Sequence, residues 1–278
     1  MKTLYISDLD GTLLNSSAAL TPFAIETLNR LIEEGMHFTV ATARTSATVT
    51  HMLADVAMKV PVVLMNGVAI YDMAQGCYVE TNNIPEQSRA FIFEVLRSEG
   101  LEGFLYVIED NVLSTFYEKI DSPHAKLFVE ERVSRFGKSF VKVDSFYSCA
   151  DKNVVYYSVV DTKERLQSAY ERLKRDSRIC VEFYRDIYYP EHWYLEICSR
   201  LASKFHAVQR LRRGYGFDKV VSFGDNYNDL SLFEASDECY AVENAKPEVK
   251  ARATGVIGDN GNDAVPRWLL KNYNKSKD

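Results

Sequence analysis

Apolar residues in the first third of the chain fall into short continuous runs and longer periodic ones. Leu4-Tyr5-Ile6 is a continuous run, as expected of a strand buried on both faces. Thr21-Pro22 reads as a helix cap followed by proline at the first helical position. Ile25, Leu28, Leu31 and Ile32 continue at helical spacing until Gly35 closes the segment. His37-Phe38-Thr39-Val40-Ala41 predicts a second strand, Ser46 opens a second helix, and Pro61-Val62-Val63-Leu64-Met65 predicts a third strand. Strands that are apolar along their length and alternate with helices predict a parallel sheet covered on both faces. In such sheets ligands bind at the carboxyl ends of the strands.

Around Asn82 to Pro85 the pattern changes. The following segment is richer in Tyr, Phe and Val and poorer in glycine. Phe104-Leu105-Tyr106-Val107-Ile108 and Val112-Leu113-Ser114-Thr115-Phe116-Tyr117 predict two strands, and the acidic turn Glu109-Asp110-Asn111 between them makes a hairpin. A helix over 122–136, a strand over 154–160, a helix over 163–175 and a strand over 180–185 follow. This order predicts a separate α+β domain over residues 83–190, inserted into the first. From Trp193 the α/β pattern resumes, with a helix over 203–213 ending at Gly214 and Gly216, strands over 219–223 and 238–242, and a last helix over 263–271. Residues 1–82 and 191–278 would then form one doubly wound, Rossmann-like α/β domain. The chain carries no internal repeat, and only residues 272–278 look frayed.

Composition narrows the function classes. A hydrophobic fraction of 46% and a charged fraction of 26% are those of an ordinary globular protein. The formal net charge of −6 argues against a broad nucleic-acid footprint. An acidic protein that handles anions must concentrate positive charge locally, on a metal ion or a few placed cations. Met1-Lys2-Thr3-Leu4-Tyr5 runs straight into the first predicted strand without the signature of a leader peptide. No apolar run approaches the ~20 residues that span a bilayer. The five cysteines are scattered, odd in number and free of any CxxC, so a reduced, cytoplasmic setting with mostly buried thiols is expected.

Four elements carry candidate chemistry, each at a strand end or helix start of the predicted α/β domain. Asp8-Leu9-Asp10-Gly11-Thr12 places two carboxylates two apart, with Gly11 permitting a tight turn beside them. A plain Asp-Gly turn would use the same residues. A calcium loop would not, because Leu13 stands where that loop needs glycine. Thr42-Ala43-Arg44 offers a hydroxyl, backbone N–H groups and a guanidinium suited to phosphate. Lys204 opens a helix and would attract no notice alone. Gly224-Asp225-Asn226-Tyr227-Asn228-Asp229 ends an apolar strand; a helix cap would need fewer oxygen ligands, whereas a few hard oxygens suit Mg²⁺.

Together these elements resemble the four motifs of the haloacid dehalogenase-like phosphatases over essentially the whole chain. The insertion between the second and third motifs is similar to that of the Cof-type branch, as are Asn66-Gly67 and Glu243-Asn244-Ala245. The resemblance implies a haloacid dehalogenase-like core with a cap domain, residues 83–190, that selects substrate. It implies that Asp8 is the nucleophile, forming an aspartyl-phosphate, and that Asp10 is the general acid and base. It implies Mg²⁺ held by Asp8, the Asp10 backbone carbonyl and Asp225, with Asp229 and Asn228 orienting the metal's surroundings. Thr42, Lys204, Asn228 and the Leu9 and Ala43 backbone N–H groups would hold the phosphoryl oxygens. Gly11 and Thr12 would support the site, the Thr12 hydroxyl orienting Asp10. Arg44 and Asn66 are candidates for substrate contact.

Two positions depart from the family's usual pattern: Ala43 stands for a glycine, and Phe205 follows the lysine where glycine is common. The cap tyrosines Tyr106, Tyr117, Tyr156, Tyr157, Tyr184, Tyr188 and Tyr189 could present hydroxyls to a sugar, although tyrosine is also a good strand residue. The five histidines show no metal-ligand spacing. The expected activity is hydrolysis of small phosphorylated metabolites, with sugar phosphates favoured by the resemblance. The alternatives are a phosphotransferase or phosphomutase using the same intermediate, and a non-catalytic regulator that binds a phosphometabolite. No nucleic-acid or membrane partner is expected.

Overall fold

Leu4 and Ile6 of the first strand are fully buried, while Tyr5 between them points to the opposite face. The computed structural model describes residues 1–186, 189 and 191–273. In chain order its elements begin with β1 (Thr3–Ser7), α1 (Pro22–Glu33), β2 (His37–Val40), α2 (Ser46–Met52), β3 (Val62–Leu64), β4 (Ala69–Asp72) and β5 (Cys77–Thr81). Next come α3 (Glu86–Ser98), β6 (Phe104–Glu109), β7 (Val112–Tyr117), α4 (Pro123–Phe136), β8 (Phe140–Lys142), β9 (Val154–Asp161), α5 (Lys163–Leu173), β10 (Ile179–Arg185) and β11 (Trp193–Ser199). The chain closes with α6 (Lys204–Tyr215), β12 (Lys219–Gly224), α7 (Leu230–Glu234), β13 (Glu238–Ala241), α8 (Pro247–Lys250), β14 (Gly255–Val256) and α9 (Ala264–Asn272).

Five strands in the order β14-β13-β12-β1-β2 form a parallel sheet. On one face Leu4 and Ile6 pack with Ala207, Val208 and Leu211 of α6 and Leu232 of α7. On the other, Tyr5 meets Trp268 and Tyr273 at the end of the chain's last helix, and α1 packs beside α9. The sheet is thus wound with helices on both faces, as the apolar strands require. Helix α1 starts as expected: the Thr21 hydroxyl accepts the Ala24 N–H at 3.0 Å, with Pro22 in the first turn.

The third strand departs from expectation. It meets the parallel sheet through a bridge between Ala41 and Val63, then pairs antiparallel with β4 in a three-stranded sheet β3-β4-β5. β4 and β5 are short and joined by a turn in which the Asp72 carboxylate accepts the N–H groups of Ala74 and Gln75. Segments of four and five residues carry too few periods to stand out from sequence.

The chain divides into two compact units, Met1–Glu80 with Ser203–Asp278, and Thr81–Ala202. The second contains a six-stranded sheet, order β10-β11-β9-β6-β7-β8, antiparallel except where β7 meets β8. Asp110 and Asn111 at the β6–β7 turn have φ of 49° and 62°, the conformation that a two-residue hairpin needs. α3 and α5 cover one face, where Ile92, Leu96, Leu166 and Ala169 pack against Leu105, Val107, Val159 and Leu195. The division falls at 80/81 and 202/203, not at 82/83 and 190/191. The reason is β11: it pairs residue for residue between β10 and β9 and belongs to the inserted sheet. Its alternation of buried Leu195 and Ile197 with half-buried Glu196 and Cys198 is the period of a half-covered strand.

Among the described residues no helix is long and apolar enough to cross a membrane. Of the cysteines only Cys149 and Cys239 are buried; Cys77, Cys180 and Cys198 are half-buried, against the expectation of mostly buried thiols. Asn272 ends α9 and Tyr273 packs on Tyr5, so these two are not frayed; residues 274–278 and Tyr188 lie outside the described residues.

Candidate active site

Asp8 is the first residue past β1, and its N–H still donates to the Phe223 carbonyl of β12 at 3.0 Å. Its carboxylate turns into the protein and is only 6% exposed. Leu9 to Leu13 then make a single wide turn, closed by Leu14 N–H donating to the Leu9 carbonyl at 2.9 Å. Gly11 has φ of +78° inside that turn, and a Cβ there would stand 2.6 Å from Asp225 Oδ2. Both conformation and space therefore call for glycine.

Lys204 occupies a buried position because α6 presents Lys204, Ala207, Val208 and Leu211 on one face. Its ammonium donates to Asp8 Oδ1 at 2.6 Å and to Asp229 Oδ1 at 2.7 Å. The other Asp229 oxygen accepts the N–H groups of Asp225 and Asn226 at 2.9 and 3.0 Å. Asp229 is thus fully engaged, locking the loop that follows β12 and aiming Lys204 at Asp8. Gly224 is needed here as well, since a Cβ would press on the Asp229 side chain at 2.6 Å. Asp225 points the same way, its Oδ1 accepting the Thr12 hydroxyl at 2.7 Å. This corrects one expectation: the Thr12 hydroxyl orients Asp225, not Asp10.

Asp10 is held otherwise. Its carboxylate faces outward, side chain 48% exposed, and forms a two-pronged pair with Arg44 at 2.7 and 2.6 Å. Arg44, proposed from sequence for substrate contact, therefore touches Asp10 here. The β2 end is shaped by backbone bonds: Thr42 N–H donates to Val63, Arg44 N–H to the Thr42 hydroxyl, and Asn66 N–H to the Thr42 carbonyl. The last of these joins the third strand's end to the second's. Met65, Asn66 and Gly67 all have positive φ, and a Cβ on Gly67 would collide with the Ser203 backbone just ahead of Lys204. Asn66 Oδ1 accepts from Asn228 Nδ2 at 3.2 Å, drawing both asparagines to this edge.

The charges do not balance within the cluster. Asp8, Asp225 and Asp229 each bring a carboxylate oxygen within 4.8 Å of the others, facing the one ammonium of Lys204. Burial, with added repulsion from Asp229 and Asp225, pushes the Asp8 carboxyl up to about 8 even though Lys204 opposes the shift. Burial likewise pushes Asp225 up to about 6, with Asp229 adding to it. Burial disfavours the Lys204 charge, but Asp8 and Asp229 outweigh it and hold the ammonium above its ordinary range. A surplus of hard carboxylate oxygens in one buried place is a donor set that fits a small divalent cation.

The two sequence departures are absorbed locally. The Ala43 methyl belongs to an exposed residue, and Phe205 packs against the core beneath β1 and α6. Asn244 of the Glu243-Asn244-Ala245 segment has a structural part. It donates to the Gly11 carbonyl at 2.7 Å and accepts the Asn260 N–H at 3.2 Å, steadying the turn that carries Asp10. Nothing in the residue pattern marks an exposed loop asparagine for such a task.

A buried carboxylate on a lysine, a second carboxylate two residues on, and an acidic loop after a parallel neighbour strand have a counterpart among known proteins. Residues 5–269 match the family model described as haloacid dehalogenase-like hydrolase. The chain belongs to that family. Within it, the chain stands with the phosphatases. It is 28% identical to the pyridoxal phosphate phosphatase YbhA of Escherichia coli, over 94% of this chain and 95% of that one. It is 27% identical to the 5-amino-6-(5-phospho-D-ribitylamino)uracil phosphatase YwtE of Bacillus subtilis, over 97% of each. A solved structure from Thermotoga maritima shares the fold with a TM-score of 0.82 at 24% identity, covering 99% of this chain and 98% of that one.

Proposed function

We propose that this phosphatase hydrolyses small phosphorylated metabolites through an aspartyl-phosphate on Asp8, with Asp10 as general acid and base. The observation that carries the reading is the division of labour between these two carboxylates. Asp8 is buried and fixed on Lys204 at 2.6 Å, while Asp10 is half-exposed at the surface, paired with Arg44. A nucleophile must be held still, and a proton carrier must reach first the leaving oxygen and then water.

In the first half-reaction an Asp8 oxygen attacks phosphorus and Asp10 protonates the departing oxygen. In the second, Asp10 takes a proton from water as it attacks the phosphorus of the acylphosphate and Asp8 leaves as carboxylate. Lys204, the Thr42 hydroxyl, Asn228 and the Leu9 and Ala43 N–H groups would hold the phosphoryl oxygens in both steps. Mg²⁺ on Asp8, the Asp10 backbone carbonyl and Asp225 would offset the repulsion between carboxylate and dianionic phosphate, about 4 kcal/mol for two unit charges ~4 Å apart at an effective dielectric near 20. Asp229 and Thr12 would keep Asp225 aimed.

The inserted unit would act as the cap that selects the leaving group. The two named relatives act on unlike phosphate esters, so the phosphorylated group's remainder, not the phosphate, is where this chain would differ. Among the tyrosines singled out there, Tyr106 and Tyr157 are buried, Tyr117 and Tyr156 half-buried, and Tyr184 and Tyr189 exposed. The exposed two are the better candidates for reading a sugar or another polar leaving group.

The test is release of inorganic phosphate from a panel of phosphorylated metabolites with Mg²⁺ and no added acceptor alcohol. Phosphate should appear, and Asp8→Asn should lower the rate by about 10⁴-fold or more while the fold persists. Near-normal release from Asp8→Asn would overturn the reading. Turnover only with an added acceptor would replace it by phosphotransfer.

A further inference from the structure

The inserted unit holds a thiol pair that the phosphatase chemistry does not use. Cys180 on β10 and Cys198 on β11 stand directly opposite each other in an antiparallel ladder. Directly opposite residues in such a ladder have Cα atoms about 4.5 or 5.5 Å apart, depending on the pair type, and a disulfide accepts about 4.4–6.8 Å. As directly opposite residues of one antiparallel pair, their side chains point to the same face of the sheet. β10 is the outer strand of its sheet, and both residues are half-buried, so a small reagent can reach them.

We propose that Cys180 and Cys198 are a redox modification site, closing a cross-strand disulfide when a hydroperoxide oxidises them. The pair is asymmetric. Cys180 stands on the outer strand β10, whereas Cys198 stands on β11 between two strands. The neighbouring Cys198 thiol and Arg200 draw the Cys180 thiol down against burial and Glu182, while Cys180 and burial push Cys198 up. The edge thiol, Cys180, is the attacking one. Its sulfur bonds to an oxygen of the hydroperoxide, the O–O bond breaks, and the departing alkoxide or hydroxide takes up the proton that Cys180 released. The Cys198 sulfur then attacks the resulting sulfenic acid. The S–S bond forms, the S–O bond breaks, and hydroxide leaves as water with the Cys198 proton. Two thiols are oxidised by two electrons, and the hydroperoxide is reduced to an alcohol, or to water, plus one further water.

The experiment is peptide mapping of the full chain after treatment with hydrogen peroxide and capping of remaining thiols. Arg178, Arg185 and Arg200 allow trypsin to separate the two cysteines into peptides 179–185 and 186–200. The expected result is one linked peptide pair that disappears on reduction, with Cys77, Cys149 and Cys239 still capped as free thiols. Dimedone, which captures sulfenic acids, should label Cys180 in Cys198→Ser on the order of tenfold more than Cys198 in Cys180→Ser. Capped, unlinked Cys180 and Cys198 after peroxide would overturn the site. So would over-oxidation of Cys180 beside a free Cys198, or equal dimedone labelling in the two variants.

Discussion

In the five-stranded parallel sheet, polar side chains of the candidate site stand just beyond the strand ends: Asp8 after β1, Thr42 after β2 and Asp225 after β12. In the six-stranded sheet of the inserted unit, polar side chains stand within the strands. Tyr156 and Ser158 of β9, Tyr184 of β10, and Glu196 and Cys198 of β11 occupy the face away from the α3–α5 core. The contrast follows from coverage. Strands buried on both faces keep charged groups out of their interiors, where only hydroxyls such as Thr39 and Ser222 are buried, so the carboxylates gather beyond the ends in one dense cluster. The second face of the inserted sheet, partly covered by α4 through Phe128, spaces its polar groups at alternate positions instead. The first arrangement concentrates charge enough to push Asp8 and Asp225 well above the usual carboxylate range; the second distributes hydroxyls, a carboxylate and thiols along the strands, buried at Ser158 and exposed at Tyr184.

Substitutions should respect that contrast. The largest effect beyond the proposed nucleophile is expected at the exposed carboxylate, Asp10. Asp10→Asn should lower kcat by about 10²–10⁴-fold with little change in folding, because its side chain is exposed and its pair with Arg44 is at the surface. A comparable loss of folding stability would contradict its assignment as proton carrier. Lys204→Met should do the reverse in kind, removing the cation from two buried carboxylates and costing about 3–5 kcal/mol in chemical unfolding of the metal-free protein. An unchanged denaturation midpoint would mean that the cluster is less tightly charged than it looks.

A smaller effect should separate function from stability at Asp8. Its carboxyl titrates higher in the folded chain than an exposed aspartate does. The folded state then binds the proton more tightly than the unfolded chain, so this group's favourable contribution is greatest below about pH 4 and is lost as pH rises towards about 8. Asp8→Asn should therefore stabilise the metal-free protein at pH 8 by about 1 kcal/mol and have little effect at pH 4, read from thermal unfolding. Stabilisation that is largest at low pH would contradict the sign. The smallest effect is expected in the inserted unit. There Tyr184 of β10 is exposed, opposite Tyr194 of β11. Tyr184→Phe should change stability by about 1 kcal/mol or less and alter the ranking of substrates more than the rate on any generic one, measured as phosphate release across the same panel. An unchanged ranking would remove this tyrosine from substrate choice.

The sequence made the first region legible and the second only in outline. β1, α1 and β12 have long apolar runs or clear caps, and their motifs stand where the strands stop. The acidic pair at 8 and 10 and the loop 225–229 announce oxygen chemistry by residue type alone. Lys204 could have been found by its position on the apolar stripe of α6 with Ala207, Val208 and Leu211. Thr12's attachment to Asp225, 213 residues away, could not, because it depends on how two strand ends meet in space. β11 belongs to the inserted sheet although it stands next in sequence to the α/β segment; its period-two alternation is that of a half-covered strand. α3 is legible in the helical spacing of Ile92, Val95 and Leu96 but carries no side-chain cap at its start.

The proposed catalysis rests on a covalent bond between phosphorus and the carboxylate beyond β1. Acid-quenching the enzyme during turnover of a good phosphate ester, followed by peptide mass spectrometry, reads that bond directly. The account predicts a transient, alkali-labile phosphate on the peptide containing Asp8, absent from Asp8→Asn and accumulating in Asp10→Asn if dephosphorylation is the step most slowed. Active turnover with phosphate trapped on another residue would contradict it.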